Sequence, residues 1–244
     1  MIMGDRCTRS CRYCAVMTAK PLPLDPEEPR RIALAALKLG LHHAVVTTVT
    51  RDDLPDEGVG HFAKVVHALR AMDPDLIIEI LTQDFRRDQD RACAILKELE
   101  IDIFNHNIET VRRLHEIIRP GGGYDLSLNL IRKMASSGRR FITKSGAMLG
   151  LGETRDEVMV MMEELKDLGC EMLTLGQYLR PDPKKIPAAR YIRLEEFEAY
   201  REAGYQMGFS VVESGPFVRS SYHAKDSFEK LKALIARGTV SSYA

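Results

Sequence analysis

Neither sign of charge is in surplus: 35 lysines and arginines face 35 aspartates and glutamates, a formal net charge of zero. A chain so balanced has no bulk electrostatic hold on nucleic acid or on an anionic membrane. No apolar run approaches membrane-spanning length, so no transmembrane helix is expected. The first residues do not form a signal peptide, because Asp5 and Arg6 interrupt the apolar start. Cysteine is scarce, at five residues, and three of the five share one short segment. Such thiols read as reduced metal ligands in a cytoplasmic compartment. Apolar residues are plentiful, 45% of 244, enough for one sizeable core.

The cysteine segment is Cys7-Thr8-Arg9-Ser10-Cys11-Arg12-Tyr13-Cys14, spaced C-x3-C-x2-C. Structural zinc sites take four ligands from paired C-x2-C units. Here there are three thiols; the next, Cys93, lies far down the chain in an amphipathic stretch. Three thiolates on a short loop suit a 4Fe-4S cluster with one iron left open to another ligand. A zinc knuckle or a redox-sensing thiol cluster is the alternative. With Tyr13 before its last cysteine, the segment resembles the signature of the radical S-adenosylmethionine (SAM) enzymes. That resemblance implies SAM chelating the open iron through its amine and carboxylate, and a 5′-deoxyadenosyl radical formed on reduction.

Along the chain, apolar periodicity alternates between strand and helix. Met1–Gly4 reads as the tail of a strand cut in half. Asp25-Pro26-Glu27-Glu28 predicts a helix start with Asp25 as N-cap, and Gly40 its end. Strands are expected at 43–49, 76–81, 101–105, 141–148, 172–178 and 209–212. Helices fall between them, one opened by a Thr154/Glu157 capping box, with a closing helix around Phe228–Ile235. Met161 and Met162 keep the helical period and read as core. Cys93 and Cys170 read as packing residues. This alternation signals βαβ units, either doubly wound or barrelled. About six repeats fit an α/β fold of the partial (β/α)6 barrel type. The barrel is assigned to residues 1–213 and a short C-terminal extension to 214–244.

In a barrel the site lies at the C-terminal strand ends. Polar groups gather there. Thr48, Arg51 and Asp52 follow the second strand and suit an amine or a substrate, or simply a solvated turn. Asn107 and Glu109, in Asn105-His106-Asn107-Ile108-Glu109-Thr110, suit a ribose diol; His106 reads as a satisfied core histidine. Lys144, Gly146, Gly150 and Glu153 form a glycine-rich turn where backbone can approach a ligand. Gly146, Gly150 and Glu153 match the G-x-I-x-G-x-x-E pattern of adenine contact in radical SAM barrels, with Met148 in place of Ile. Gln177 and Arg180 follow the next strand. Arg219, Ser220 and Ser221 come later, in a polar loop.

Together, Met3–Cys11, Leu24–Pro29, Val49–Pro55, Phe104–Thr110, Thr143–Gly146, Gly176–Pro181 and Val218–His223 resemble the lipoyl synthase family. The resemblance runs nearly end to end. It implies sulfur insertion at two unactivated carbons of an octanoyl chain, amide-linked to a lysine of a lipoyl carrier domain. Cys7, Cys11 and Cys14 would hold the SAM cluster; Thr48, Asn107, Glu109, Lys144, Gly150, Glu153 and Gln177 would contact the cofactor; Arg51, Asp52, Arg180 and Arg219 would face substrate. Carriers would be the 2-oxoacid dehydrogenase acyltransferase subunit and the glycine cleavage carrier protein. The electron donor would be a flavodoxin or ferredoxin. The family's second, sulfur-donating 4Fe-4S cluster uses an N-terminal C-x4-C-x5-C motif and one serine, Ser221 or else Ser220. That motif is absent from these residues. The expectation is that upstream sequence is missing and that this chain binds one cluster and SAM but makes no lipoyl group alone. A radical SAM enzyme of another reaction, or a single-cluster binding protein, is the competing expectation.

Overall fold

The structure, a computed structural model, describes residues 1–138 and 141–221. Tyr222, His223 and the expected closing helix lie outside the described residues. Two short strands, β1 (Arg6–Cys7) and β2 (Met17–Thr18), pair in parallel and bracket the cysteine segment. Then follow α1 (Glu28–Lys38), β3 (His43–Thr47), α2 (Val59–Met72), β4 (Ile77–Leu81), α3 (Gln89–Lys97), β5 (Ile103–Asn105), α4 (Arg112–Ile118), α5 (Tyr124–Ala135), β6 (Ile142–Leu149), α6 (Arg155–Asp167), β7 (Met172–Gln177), α7 (Leu194–Gln206) and β8 (Val211–Gly215). Strands β3 to β8 form one six-stranded parallel sheet in strict chain order. A doubly wound sheet reverses its order at a switch point. This one never does, so successive right-handed crossovers curl it into a partial barrel.

Local chemistry explains the element ends. The Thr154/Glu157 capping box forms: the Glu157 N–H donates to Thr154 Oγ1 at 3.3 Å, and the Thr154 N–H to Glu157 Oε2 at 2.8 Å. Helix α1 departs from expectation and starts at Glu28, with Pro29 in its first turn. Asp25 instead accepts from the Glu27 N–H at 2.8 Å and binds Arg31 at 2.6 Å, closing a turn before the helix. The N-terminal piece pairs beside β3, its Ile2 N–H donating to Thr47 O at 2.8 Å. Strand β8 runs past Val212 and across the 213/214 boundary. Its polar letters do not break the ladder: Ser214 Oγ donates to Phe197 O at 2.8 Å, and Gly215 pairs with Gly176.

Helices cover the convex face of the sheet, where Phe62, Val65 and Val66 pack near Ile78 and Ile80, and Met161 and Met162 near Leu173 and Leu175. The concave face is layered. Ile77, Ile103, Ile142, Met172 and Val211, one from each of five adjacent strands, make a separate apolar floor. With the strand period of two, the next residues on that face are Glu79, Asn105, Lys144 and Thr174. Above these come Leu81, Asn107, Gly146 and Gly176, at the C-terminal rim. Cys93 and Cys170 are buried, and burial pushes the Cys170 thiol up to about 12.

His106 is the satisfied core histidine expected: fully buried, with Nδ1 2.9 Å from Thr82 O and Nε2 2.9 Å from Ser127 Oγ. Burial, with Arg119 nearby, pushes it down to about 3, and His115 to about 4. Both rings stay neutral in the fold, while unfolded imidazoles titrate near 6.5. Below that pH the unfolded chain takes up protons that the fold refuses. Stability then falls by up to about 1.4 kcal/mol per histidine per pH unit, until the folded values are reached. An NMR titration is expected to show the His106 ring static from about pH 7.5 to 5; a ring titrating near its ordinary value would refute this.

Candidate functional site

The cysteine segment is pinned against the rim of the barrel on several sides. The Thr8 N–H donates to Thr50 O at 3.1 Å and the Arg12 N–H to Ile118 O at 2.9 Å. Ile186 N–H reaches Arg12 O at 3.3 Å, and Thr18 Oγ1 donates to Arg9 O at 3.1 Å. Buried Arg9 supplies the strongest tie. Its Nε and Nη2 hold Asp52 at 3.0 and 2.9 Å, and its Nη1 holds Asp84 at 2.7 Å. Thr8 Oγ1 adds a bond to Asp52 at 2.9 Å.

So held, Cys7, Cys11 and Cys14 all open onto one cavity of about 130 Å³, lined also by Tyr13, Thr48, Gln83, Asn107, Glu109 and Arg119. Backbone amides point at two of the sulfurs: Thr50 and Arg9 N–H at 3.4 and 3.5 Å from Cys7 Sγ, Val16 N–H at 3.5 Å from Cys14 Sγ. Such donors favour thiolate over thiol. Burial works the other way, pushing Cys11 up to about 11 against the opposing charge of Arg119, and raising Cys14. Metal loading would therefore release protons. Among the described residues no three ligating side chains already meet around a single ion. A 4Fe-4S cluster does not require that, since each thiolate binds its own iron.

A second, larger cleft of about 240 Å³ shares Tyr13, Asn107 and Glu109 with the first. Its other walls include Met148, Thr174, Gly176, Gln177, Leu179, Arg219 and Ser220. Among the described residues Asn107 Oδ1 is buried without a hydrogen-bond partner. Glu109 sits in the left-handed region, φ 71°, a conformation that costs a non-glycine residue about 1–3 kcal/mol. The edge of β6 enforces it: the Glu109 N–H donates to Gly146 O at 3.0 Å and the Met148 N–H to Glu109 O at 2.8 Å. Burial raises the Glu109 carboxyl, against Arg119 and hydrogen bonds from Asn107 and Tyr13.

The residues anticipated for the site divide. Cys7, Cys11, Cys14, Thr48, Asn107 and Glu109 line the cysteine cavity, and Gln177, Arg219 and Ser220 the larger cleft. Arg51 and Asp52 line neither. Arg51 is buried with its fork on Asp53, both bonds 2.8 Å, and Asp52 serves Arg9. Gly150 and Glu153 staple their own turn, where Glu153 accepts the Gly150 and Leu151 N–H groups at 2.6 and 2.9 Å. Arg180 clamps the carbonyls of Lys185 and Pro183. Gln177 lines the cleft but spends its amide on Tyr178 O, Arg190 O and the Ile192 N–H. Ser221 is exposed and lines neither cavity.

Lys144 lies one layer below the cleft, 1% exposed, with Nζ 2.9 and 3.1 Å from the two Glu79 oxygens and 2.5 Å from Ser220 O. Asn105 Nδ2 donates to Glu79 at 2.7 Å. Glu79, Asp84 and Arg119 were not anticipated. A carboxylate inside Ile77-Ile78-Glu79-Ile80-Leu81 was the available signal for the first; Asp84 and Arg119 stand in turns where charge is commonplace.

The Radical SAM superfamily pattern matches residues 1–165. Lipoyl synthase from Caldanaerobacter subterraneus subsp. tengcongensis is 52% identical over 224 residues, 92% of this chain and 78% of that protein. Lipoyl synthase from Thioalkalivibrio sulfidiphilus is 52% identical over 231 residues, 95% of this chain and 72% of that protein. Among solved structures, Streptococcus suis SuiB bound to S-adenosylmethionine superposes with a TM-score of 0.69 at 12% identity, over 87% of this chain and 48% of its own. Methylornithine synthase superposes with a TM-score of 0.65 at 14% identity, over 96% of this chain and 80% of its own. These two likenesses are of fold.

Proposed function

We propose a division of labour among the residues of this chain, which belongs to the lipoyl synthase family of radical SAM enzymes. Its reaction class is radical SAM sulfur insertion in protein lipoylation, with a 4Fe-4S cluster and SAM as cofactors. The observation that carries the residue assignment is the shared wall. Three cysteines open one cavity, and the same Asn107 and Glu109 that close it also line the larger cleft.

Cys7, Cys11 and Cys14 hold the cluster; three thiols, no fourth beside them, and amides aimed at sulfur fit that group. Bound together, cluster and SAM supply a radical able to break an alkyl C–H bond, which has no acidic proton for a general base to remove. The protein's part is placement. The orphaned Asn107 Oδ1 and the strained Glu109 reach SAM from the shared wall, and Thr48 flanks them. The larger cleft, with Met148, Leu179 and Val218 on its walls, takes the acyl chain, and Arg219 and Ser220 stand beside it. Arg51, Asp52, Lys144, Gly150, Glu153 and Arg180 act one step back, by fixing the loops that carry these groups.

The carriers are octanoylated domains of the 2-oxoacid dehydrogenase acyltransferase subunit and of the glycine cleavage system. A flavodoxin or ferredoxin supplies electrons in the cytoplasm. Free cysteines throughout the described chain agree with a reducing compartment. No helix among the described residues is long and apolar enough to cross a membrane. These 244 residues hold one cluster: beyond the triad only Cys93 and Cys170 remain, both in the core. The serines Ser220 and Ser221 are then left without an auxiliary cluster to ligate, and the chain alone inserts no sulfur.

Anaerobic reconstitution is expected to load about four irons per chain. With dithionite, SAM and an octanoyl-lysine peptide, it should release deoxyadenosine while the peptide gains no sulfur. About eight irons, or a lipoyl product, would overturn the single-cluster assignment. A narrower test is Gly176→Ala. Its Cβ would stand 2.2 Å from Val218 O, a backbone atom that cannot swing aside, so residues 218–220 must leave the cleft wall. SAM or peptide affinity should fall about tenfold or more, roughly 1.4 kcal/mol, by calorimetry. Unchanged affinity for both would remove this cleft from the site.

A further inference from the structure

We propose that Arg119 is a fixed cation that raises the reduction potential of the cluster at Cys7, Cys11 and Cys14, an inference resting on the cluster assignment above. Its side chain is 8% exposed, yet it lines the cysteine cavity. Three features aim it there. Nη1 donates to Ser127 Oγ at 3.2 Å, and Nη2 stands 3.4 Å from Asp84. Gly122 leaves the stem room, since a Cβ there would come within 3.1 Å of Arg119 Cγ and Cδ. The Arg12 N–H bond to Ile118 O, at 2.9 Å, ties the cysteine loop to the residue before Arg119.

Charge bookkeeping separates Arg119 from its neighbour Arg9. Arg9 is saturated, with a bidentate hold on Asp52 and a short bond to Asp84. Arg86 also attends Asp52, at 3.6 Å. Among the described residues Arg119 forms one ion pair, with Asp84, a carboxylate that Arg9 already engages. Arg119, not Arg9 or Arg86, lines the cavity with the three thiols, where it faces the Glu109 carboxyl on the same wall. Cys11, Tyr13 and Glu109 all feel the charge of Arg119. When one electron passes from a reductant into the cluster, the cluster becomes more negative by one, and no proton need move. A fixed cation stabilises that reduced form more than the oxidised one, and the burial of Arg119 leaves its charge less screened than a surface arginine's. Arg119 is thus a positioning residue for the reduction step, acting on the cluster electrostatically.

The test uses the full chain, loaded anaerobically and titrated with dithionite and mediators without SAM, the reduced cluster being followed by EPR. Wild type, Arg119→Gln and Arg119→Lys are compared at matched iron content. In Arg119→Gln the ratio of oxidised to reduced cluster at a given potential is expected to rise about tenfold, a downward shift of about 59 mV for a one-electron couple. Arg119→Lys, which keeps the charge, should titrate close to wild type. The proposal is overturned if the Gln variant titrates with wild type, or if the Lys variant shifts as far as the Gln one. It is also overturned if the Gln variant loads less iron, which would make Arg119 a structural support. Weaker SAM binding at an unchanged potential would reassign Arg119 to the SAM carboxylate. Wild type that loads no cluster would instead sink the cluster assignment.

Discussion

Lys144→Met is expected to destabilise the apoprotein by about 3–5 kcal/mol, the cost of leaving a buried charge without its partner. The charge left behind is Glu79, fully buried on the concave face of the sheet. Domain stabilities are about 5–15 kcal/mol, so the loss is a large fraction of the total. A double variant, Glu79→Leu with Lys144→Met, should recover much of it, since an apolar pair of similar volume needs no desolvated charge. Urea unfolding measures both. The pH dependence should also reverse. In the wild type, burial pushes Glu79 up, but His43, Lys144 and Asn105 hold it below the ordinary carboxylate range. Its contribution is therefore present above the unfolded value and lost as pH falls through the folded one. Without the ammonium, burial would push Glu79 up against His43 and Asn105 alone, and acid would relieve part of the variant's loss. A penalty that does not shrink on acidification would show that His43 and Asn105 suffice to keep Glu79 charged. The Lys144 bond to Ser220 O adds a local consequence: residues 218–220 should exchange amide hydrogens faster in the variant.

Arg9→Met is expected to be nearly as costly, again about 3–5 kcal/mol, with a sharper effect on the metal site. Three charge-assisted bonds to Asp52 and Asp84 would vanish, and with them the clamp between the cysteine loop and two strand-end loops. Asp84 would keep only Arg119, at 3.4 Å. Iron retained after anaerobic reconstitution should fall to less than half that of the unaltered chain, while Arg31→Met, which breaks an exposed pair with Asp25, should change little. Full iron content in Arg9→Met would mean that the loop's backbone ties suffice to preorganise the thiols.

The C-x3-C-x2-C spacing by itself put three thiols on one short loop, and the fold turns all three onto one cavity. The alternation of strand and helix determined the βα architecture, and the Thr154/Glu157 pair determined where α6 begins. These are local: each depends on residues within a few positions of one another. The tertiary structure decided what the polar residues at the strand ends do. In a parallel sheet both faces are buried, so the pattern of a strand does not say which face meets helices and which meets the cavity. Asn107 and Glu109 fell on the cavity side. Arg51 and Asp52, two and one residues from Asp53, fell into ion pairs instead. Gly150 and Glu153 closed a turn that sequence pattern alone placed against a ligand. Asp84 and Arg119 gained their meaning only when Arg9, 75 residues from Asp84, arrived between them. A charge becomes informative once its partner and its burial are known, and both are set by chain segments distant in sequence, which only the curled sheet brings together.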